Sequence, residues 1–401
     1  MISNRTYRRC AGVVSILLAL LAPALATEHR IEREGNSWVD ESSGTLPSDK
    51  ALEVTRFVGS VHIASGAPSG AWMLRVHTGE AVEQNARRQF SNFHLGVSRK
   101  GNATLIQTVG PVDLALRAEL IIQLPAGAES VHVDTMGGKI TVSGKMRSLD
   151  LQAHGGDIEI DDADQLRAMT MGGSVTVNHR LGDSYIRAGG GDIRVDASVG
   201  DMEIFSMGGN ILLKAIARGR VQSEGGNIEV VHCMGELLVR TAGGNINLGQ
   251  MDGTVRADSG GGSIRVGVAH GMVMATTAYG NIELWKLSQG AVAHSGLGRI
   301  TAEFVGDRNS MRDSELATTM GDIVAYFSPQ VPGNIRAITG ACPARKIVSD
   351  FSSLKVFTGL AEYGPRSVAA FGAIHGGGPT IELRTMTGQI ELREIQVSAQ
   401  R

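Results

Sequence analysis

Gly225-Gly226-Asn227-Ile228-Glu229-Val230 returns as Gly243-Gly244-Asn245-Ile246-Asn247-Leu248, and again as Gly261-Gly262-Ser263-Ile264-Arg265-Val266. Working outward from this stretch, the same glycine–polar–aliphatic pattern meets ten anchors: Ile140, Ile158, Val175, Ile193, Ile211, Ile228, Ile246, Ile264, Ile282 and Ile300. Consecutive anchors are always 17 or 18 residues apart. A unit this short cannot bury a core by itself, so a period this regular means that coils stack and share one.

Two residues before each anchor the chain carries glycine: Gly138, Gly156, Gly173, Gly191, Gly209, Gly226, Gly244, Gly262, Gly280 and Gly298. Such constancy predicts a corner that needs either a positive φ or the absence of a side chain. The polar residue that follows, as in Asp157, Asp192, Asn210 and Asn281, suits a turn. A second apolar site two residues beyond the anchor, with polar residues between, gives a strand with one buried face. A second strand precedes the corner and ends in small, mostly hydroxylated residues such as Thr170, Ser206, Thr241 and Ser259, placed to bond along a ladder. The expected fold is all-β: a single-chain parallel β-solenoid, or β-helix, of about 18 residues per coil. The usual hand of parallel crossovers makes it right-handed. Roughly ten coils at about 4.8 Å give a rod on the order of 50 Å long.

The ends differ from this regular region. Residues 1–26 have the form of a secretory leader, with Arg5, Arg8 and Arg9, an apolar run from Ala11 to Leu21, and the small-residue site Ala24-Leu25-Ala26. Export follows, to the periplasm or the outer cell surface, with no transmembrane span expected in the mature chain. Residues 27–51 are polar and expected to be flexible. Residues 52–130 carry strand-like runs without the glycine register and are expected to cap the first coil, since open strand edges need protection. The regular solenoid covers 131–306, and 307–395 hold irregular coils and a C-terminal cap.

Composition narrows the function. The formal charge is −2; because the leader has three basic and no acidic residues, the mature chain carries −5. With 4% aromatic residues and no basic block, the chain lacks the grooves and stacking platforms that nucleic acids require. Cys233 and Cys342, the cysteines left after the leader, fall several coils apart, too far for a disulfide unless the C-terminal segment folds back. Stability must come from stacking.

The glycine coils, together with Ile122-Gln123-Leu124-Pro125 before them and Ile374-His375-Gly376-Gly377-Gly378-Pro379-Thr380-Ile381-Glu382-Leu383 and Thr387-Gly388-Gln389-Ile390 after them, resemble a large bacterial family of exported β-strand-repeat proteins. The family has no known function and is often labelled adhesin. The likeness covers about residues 52–395. It implies an exported β-solenoid and supplies no catalytic residues.

Candidate sites are few. Asp161, Asp162 and Asp164 form the densest acidic cluster and read as a solvated turn. Asp157 and Asp192 beside paired glycines are reminiscent of calcium-binding nonapeptide repeats, but the polar position varies too much to supply a shell of oxygens. His154, His179, His232, His270, His294 and His375 show no metal-ligand spacing. Met136, Met171 and Met207 share one repeat position and form a slightly apolar outward stripe. Trp285 and Tyr279 are neighbouring aromatics in a chain with few. No catalytic, metal or cofactor site is expected. Enzymes on β-helices graft long loops and paired carboxylates onto the coil, and no loop enters between Ile140 and Ile300. The leading expectation is therefore a non-enzymatic exported scaffold or adhesin-like protein, its partner an envelope protein or surface polysaccharide. A carbohydrate or ligand binder using the outward faces stands second, and a polysaccharide-acting enzyme third. The oligomeric state and the ligand are left open.

Overall fold

A computed structural model describes residues 28–109, 116–340, 347–359, 362 and 366–396. The leader and Cys342 lie outside these residues. Each regular coil is built from two strands meeting at the glycine corner, as in Leu237–Thr241 and Ile246–Met251. Every strand of one coil pairs in parallel with its equivalent in the next: Ile228 with Ile246 and Ile246 with Ile264, Val239 with Ala257 and Ala257 with Ala275. Like positions therefore stack on like, and the β-branched anchors form a continuous column that is at most 1% exposed. This is the parallel β-solenoid that the repeat predicts.

The core has two columns more than the repeat suggests, one nine residues before the anchors, as at Leu149, Leu166, Leu237 and Val255, and one after them. Met146, Ala163, Leu181, Ser198, Ile216, Cys233, Met251, Ala269 and Leu287 point inward five or six residues after their anchors. Cys233 is thus a core residue. Its thiol lies 3.4 Å from the Gly235 carbonyl, as the Ser198 hydroxyl lies 3.4 Å from that of Gly200. In the first coils this column after the anchors sits within long bent strands, Ile140–Ala153 through Ile211–Ser223, where the pairing register shifts. From Ile228–Cys233 onward a turn divides the strand in two.

Two expectations about the ends are corrected. Residues 27–51 were expected to be flexible, yet Glu28–Glu34 and Ser37–Thr45 form an antiparallel hairpin. Its polar composition hides the alternation: Val39 is buried, Trp38 packs against the core, and His29 pairs with Asp40 at 2.8 Å. The glycine register also begins earlier than expected. Gly59-Ser60-Val61 holds it, with Val61 pairing with Ile140, but a long excursion separates this coil from the next in sequence.

The order of layers at both ends departs from the order of the chain. At the first end, Ala51–Phe57 and Ser60–Ala67 lie between Ala103–Val109 and Arg117–Pro125 on one side and Ser130–Thr135 and Ile140–Ala153 on the other. At the second end, Thr380–Thr385 and Ile390–Glu394 lie between Ser314–Thr318 and Ile323–Phe327 on one side and Gly333–Thr339 and Ile347–Ser349 on the other. Antiparallel strands then cover the outer layers: Ala71–Thr78, Ser37–Thr45 and His94–Lys100 at the first end, Val368–Ile374 and Lys355–Thr358 at the second. Helix α1 (Glu83–Phe90) buries Ala86 and Phe90 at the first end. No helix among the described residues is long and apolar enough to cross a membrane.

Candidate functional site

The glycine corners stack directly on one another. A Cβ on Gly156, Gly173, Gly191, Gly209, Gly226, Gly244, Gly262, Gly280 or Gly298 would strike the carbonyl of the glycine one coil back, beginning with Gly138. Gly138 itself rests on Gly59 and is the one member of the ten with a positive φ, +92°. Close backbone approach, rather than left-handed conformation, accounts for the other nine. The glycine that precedes eight of the ten corners faces open space, as at Gly155, Gly208 and Gly243, while Tyr279 and Leu297 precede the last two.

Two polar ladders hold these corners. Thr241 Oγ1 donates to the Gly226 carbonyl at 3.1 Å and accepts the Gly244 N–H at 3.1 Å. Ser259 does the same between Gly244 and Gly262, and Thr277 between Gly262 and Gly280. The hydroxyls therefore clamp successive glycines and do not bond to each other along the ladder. The polar residue after the corner accepts the backbone N–H of the next coil: Asn227 from Asn245 at 2.8 Å, and Asn245 from Ser263 at 2.8 Å. Asp157 and Asp192 accept in the same way from Ser174 and Asn210, so their carboxylates serve the turn.

The remaining candidates are also drawn into contacts between coils. Asp161 accepts from the Gly144 N–H, Asp162 from the Arg180 N–H, and Asp164 pairs with Lys145 at 3.3 Å. His154 faces Asp134, His179 Asp161, His294 Glu315 and His375 Glu394. His232 and His270 both lie 2.8 Å from Asp252, which also accepts from Gln250, and these bonds hold the Asp252 carboxyl well below the usual carboxylate range. Sequence spacing hides these partners because each sits about one coil away. Among the described residues, no cluster of three or more His, Cys, Asp or Glu side chains is arranged to hold a metal ion. Burial raises the Cys233 thiol pKa. Met136, Met171 and Met207 are 56–68% exposed at the corner edge; Met386 holds the same repeat position several coils away. Tyr279 stands exposed at its corner while Trp285 stacks on Tyr326, so those two aromatics do not form a platform.

The surface feature that the repeat pattern leaves unexplained is a groove across the bent strands of the early coils. Its main hollow, of about 560 Å³, crosses four coils, and a smaller one of about 170 Å³ adjoins it, with Tyr185 and Glu203 lining both. The floor is the stacked row Leu149, Leu166, Ser184 and Met202. One wall is the outward row Asp150, Arg167, Tyr185 and Glu203, each paired with the next across the ladder. The guanidinium of Arg167 lies 5.3 Å from the Tyr185 ring centre, and that of Arg187 lies 5.1 Å from Phe205. The opposite wall carries Gln165, Asp183 and Asp201. Asp183 accepts the Asp201 N–H at 2.9 Å, and Asp201 pairs with Arg218.

Ser184 breaks the apolar pattern of the floor. The residue is 8% exposed, and its hydroxyl, shielded from the hollow, makes no hydrogen bond. The sequence reading missed this groove because its residues recur at repeat positions that look like ordinary outward strand sites. The available signal was Arg167 and Tyr185 at the same outward position one coil apart, in a chain with few aromatics.

Comparison with known proteins places the chain among relatives. No curated protein matches it. It is similar to the crystal structure of a "putative adhesin" from Bacteroides fragilis, with 10% identity over 89% of this chain and 97% of that chain and a TM-score of 0.22. A "putative adhesin" from Parabacteroides merdae matches at 10% identity over 72% and 95%, with a TM-score of 0.28. A "putative lipid binding protein" from Parabacteroides distasonis matches at 12% identity over 90% and 98%, with a TM-score of 0.23. The family described as Toastrack DUF4097 has a sequence model that matches residues 81–324, a span that takes in most of the stacked corners and the whole groove. On that match the chain belongs to the Toastrack DUF4097 family, a family of unknown function.

Proposed function

We propose that this protein is an exported, non-enzymatic binding protein of the adhesin type: a stiff solenoid that presents the Tyr185 groove to a partner outside the cytoplasm. The observation that carries this reading is the groove itself, an open depression of ligand-sized volume across four coils with Arg–aromatic pairs on its wall. Its carboxylates support binding rather than hydrolysis. Three of the four have a structural partner: Asp150 lies 3.1 Å from His132, Asp183 accepts a backbone N–H, and Asp201 pairs with Arg218. Residues 1–26 support export.

Protease accessibility on intact cells, with a lysed control, tests the location. Digestion on intact cells supports the surface-adhesin form, and protection until lysis supports a periplasmic binding scaffold. Full protection from a protease confined outside the cytoplasmic membrane, after the outer envelope is opened, overturns export. The binding role is tested by comparing retention of the purified protein on isolated envelope for the wild type and for Tyr185→Ala. Equal retention of both overturns the groove as the contact surface.

A further inference from the structure

We infer that the Tyr185 groove binds an extended, uncharged saccharide chain running parallel to the solenoid axis. The inference rests on the groove being the protein's contact surface and adds the chemistry of what fills it.

Shape comes first. The hollow crosses four coils along the stacking direction, and its lining repeats at the coil rise of about 4.8 Å. A pyranose ring in an extended chain advances by about the same distance. A polymer of such rings therefore meets a fresh set of wall and floor residues at every coil, as a compact ligand would not.

The lining chemistry points the same way. Sugar rings offer an apolar face and a rim of hydroxyls that both donate and accept. Tyr185 provides a flat apolar surface shared by the two hollows, and Leu149, Leu166 and Met202 line the floor beneath it. Around these, carboxylates accept, Arg167 donates and Gln165 does both, which matches a hydroxyl rim. The main hollow holds Asp150, Asp183, Asp201 and Glu203 against Arg167 alone, so its net negative charge disfavours uronic-acid or sulfated chains.

The test uses the full mature chain and calorimetric titration with di- to hexasaccharides of the cello and chito series. Oligogalacturonides and oligolysine serve as the acidic and basic alternatives. A neutral series should bind, with affinity rising from disaccharide to about tetrasaccharide and then levelling off as the coils of the groove are filled. Tyr185→Ala should weaken binding about tenfold, the loss of one stacked contact, and Tyr185→Phe should keep most of it.

Absence of binding by both neutral series in a folded wild type overturns the inference, as does equal or tighter binding of oligogalacturonide. Binding of oligolysine alone, lost in Glu203→Gln, would assign the groove to a basic peptide instead. Envelope retention separates the two levels of the argument. If retention still depends on Tyr185 while neutral saccharides fail, the ligand class is wrong and the contact surface stands. If retention ignores Tyr185, the contact surface itself is wrong.

Discussion

At the corner, one hydrogen atom of glycine decides whether coils can stack. Gly243 and Gly244 are adjacent and chemically identical, yet a Cβ on Gly244 meets the Gly226 carbonyl while one on Gly243 meets open space. Gly244→Val should therefore destabilise by about 1–3 kcal/mol, the scale of overpacking, whereas Gly243→Ala should stay within about 0.5 kcal/mol of wild type. Urea denaturation of the two variants checks this, and similar shifts would contradict stacked glycines. The neighbouring clamp gives a second prediction. Thr241 serves both Gly226 and Gly244, so Thr241→Val keeps the shape but leaves a buried N–H and carbonyl unpaired, at a cost of about 1–3 kcal/mol. Thr241→Ser retains the hydroxyl and should lose well under half of that in the same denaturation series.

Between neighbouring coils, the contacts that matter join residues about 18 apart in sequence, and this spacing explains what could be foreseen. Ile228, Ile246 and Ile264 announce themselves because a buried column demands the same residue type in every coil. The partners of His232 and His270 do not, because an exposed carboxylate at Asp252 satisfies both without any repetition. The groove was hidden for the same reason: its outward row runs Asp150, Arg167, Tyr185 and Glu203, a different residue in every coil, and a period is read from what recurs. The Asp252 site makes a prediction about pH. Its folded pKa lies below the ordinary 3.8, so its stabilisation is present above that value and is lost as pH falls from there towards the lowered folded value. Asp252→Asn should melt below wild type near neutrality, and the gap should close under acid. A gap that persists or widens under acid, in melting curves taken across that range, would count against these bonds as its source.

Over the whole rod, the layers at each end are set by pairing, not by chain order, and this makes the terminal coils structural keystones. In a simple solenoid the last coil is an edge that can fray without disturbing its neighbours, because each repeat contacts only the next. Here Thr380–Thr385 and Ile390–Glu394 pair on both sides, with Ser314–Thr318 and Ile323–Phe327 beneath and Gly333–Thr339 and Ile347–Ser349 above. Gly388 lies on Gly321, and Thr339 Oγ1 donates to the Gly388 carbonyl at 2.8 Å, so the corner ladder passes through the inserted coil. A chain ending at Pro379 would therefore lose more than its own strands. The layer above would lose its parallel partners, and Phe304 and Phe327, stacked at 5.3 Å and fully buried, would lie close to a newly opened end. Hydrogen exchange should then rise steeply over 300–340 and fade with distance, leaving 140–223 protected as nearest-neighbour stacking requires. Removing 28–45 provides the contrast, since those strands pair only at the outside of the first end and should affect that end alone. If the chain ending at Pro379 exchanges like wild type over 300–340, the inserted coil is not held between its two neighbours.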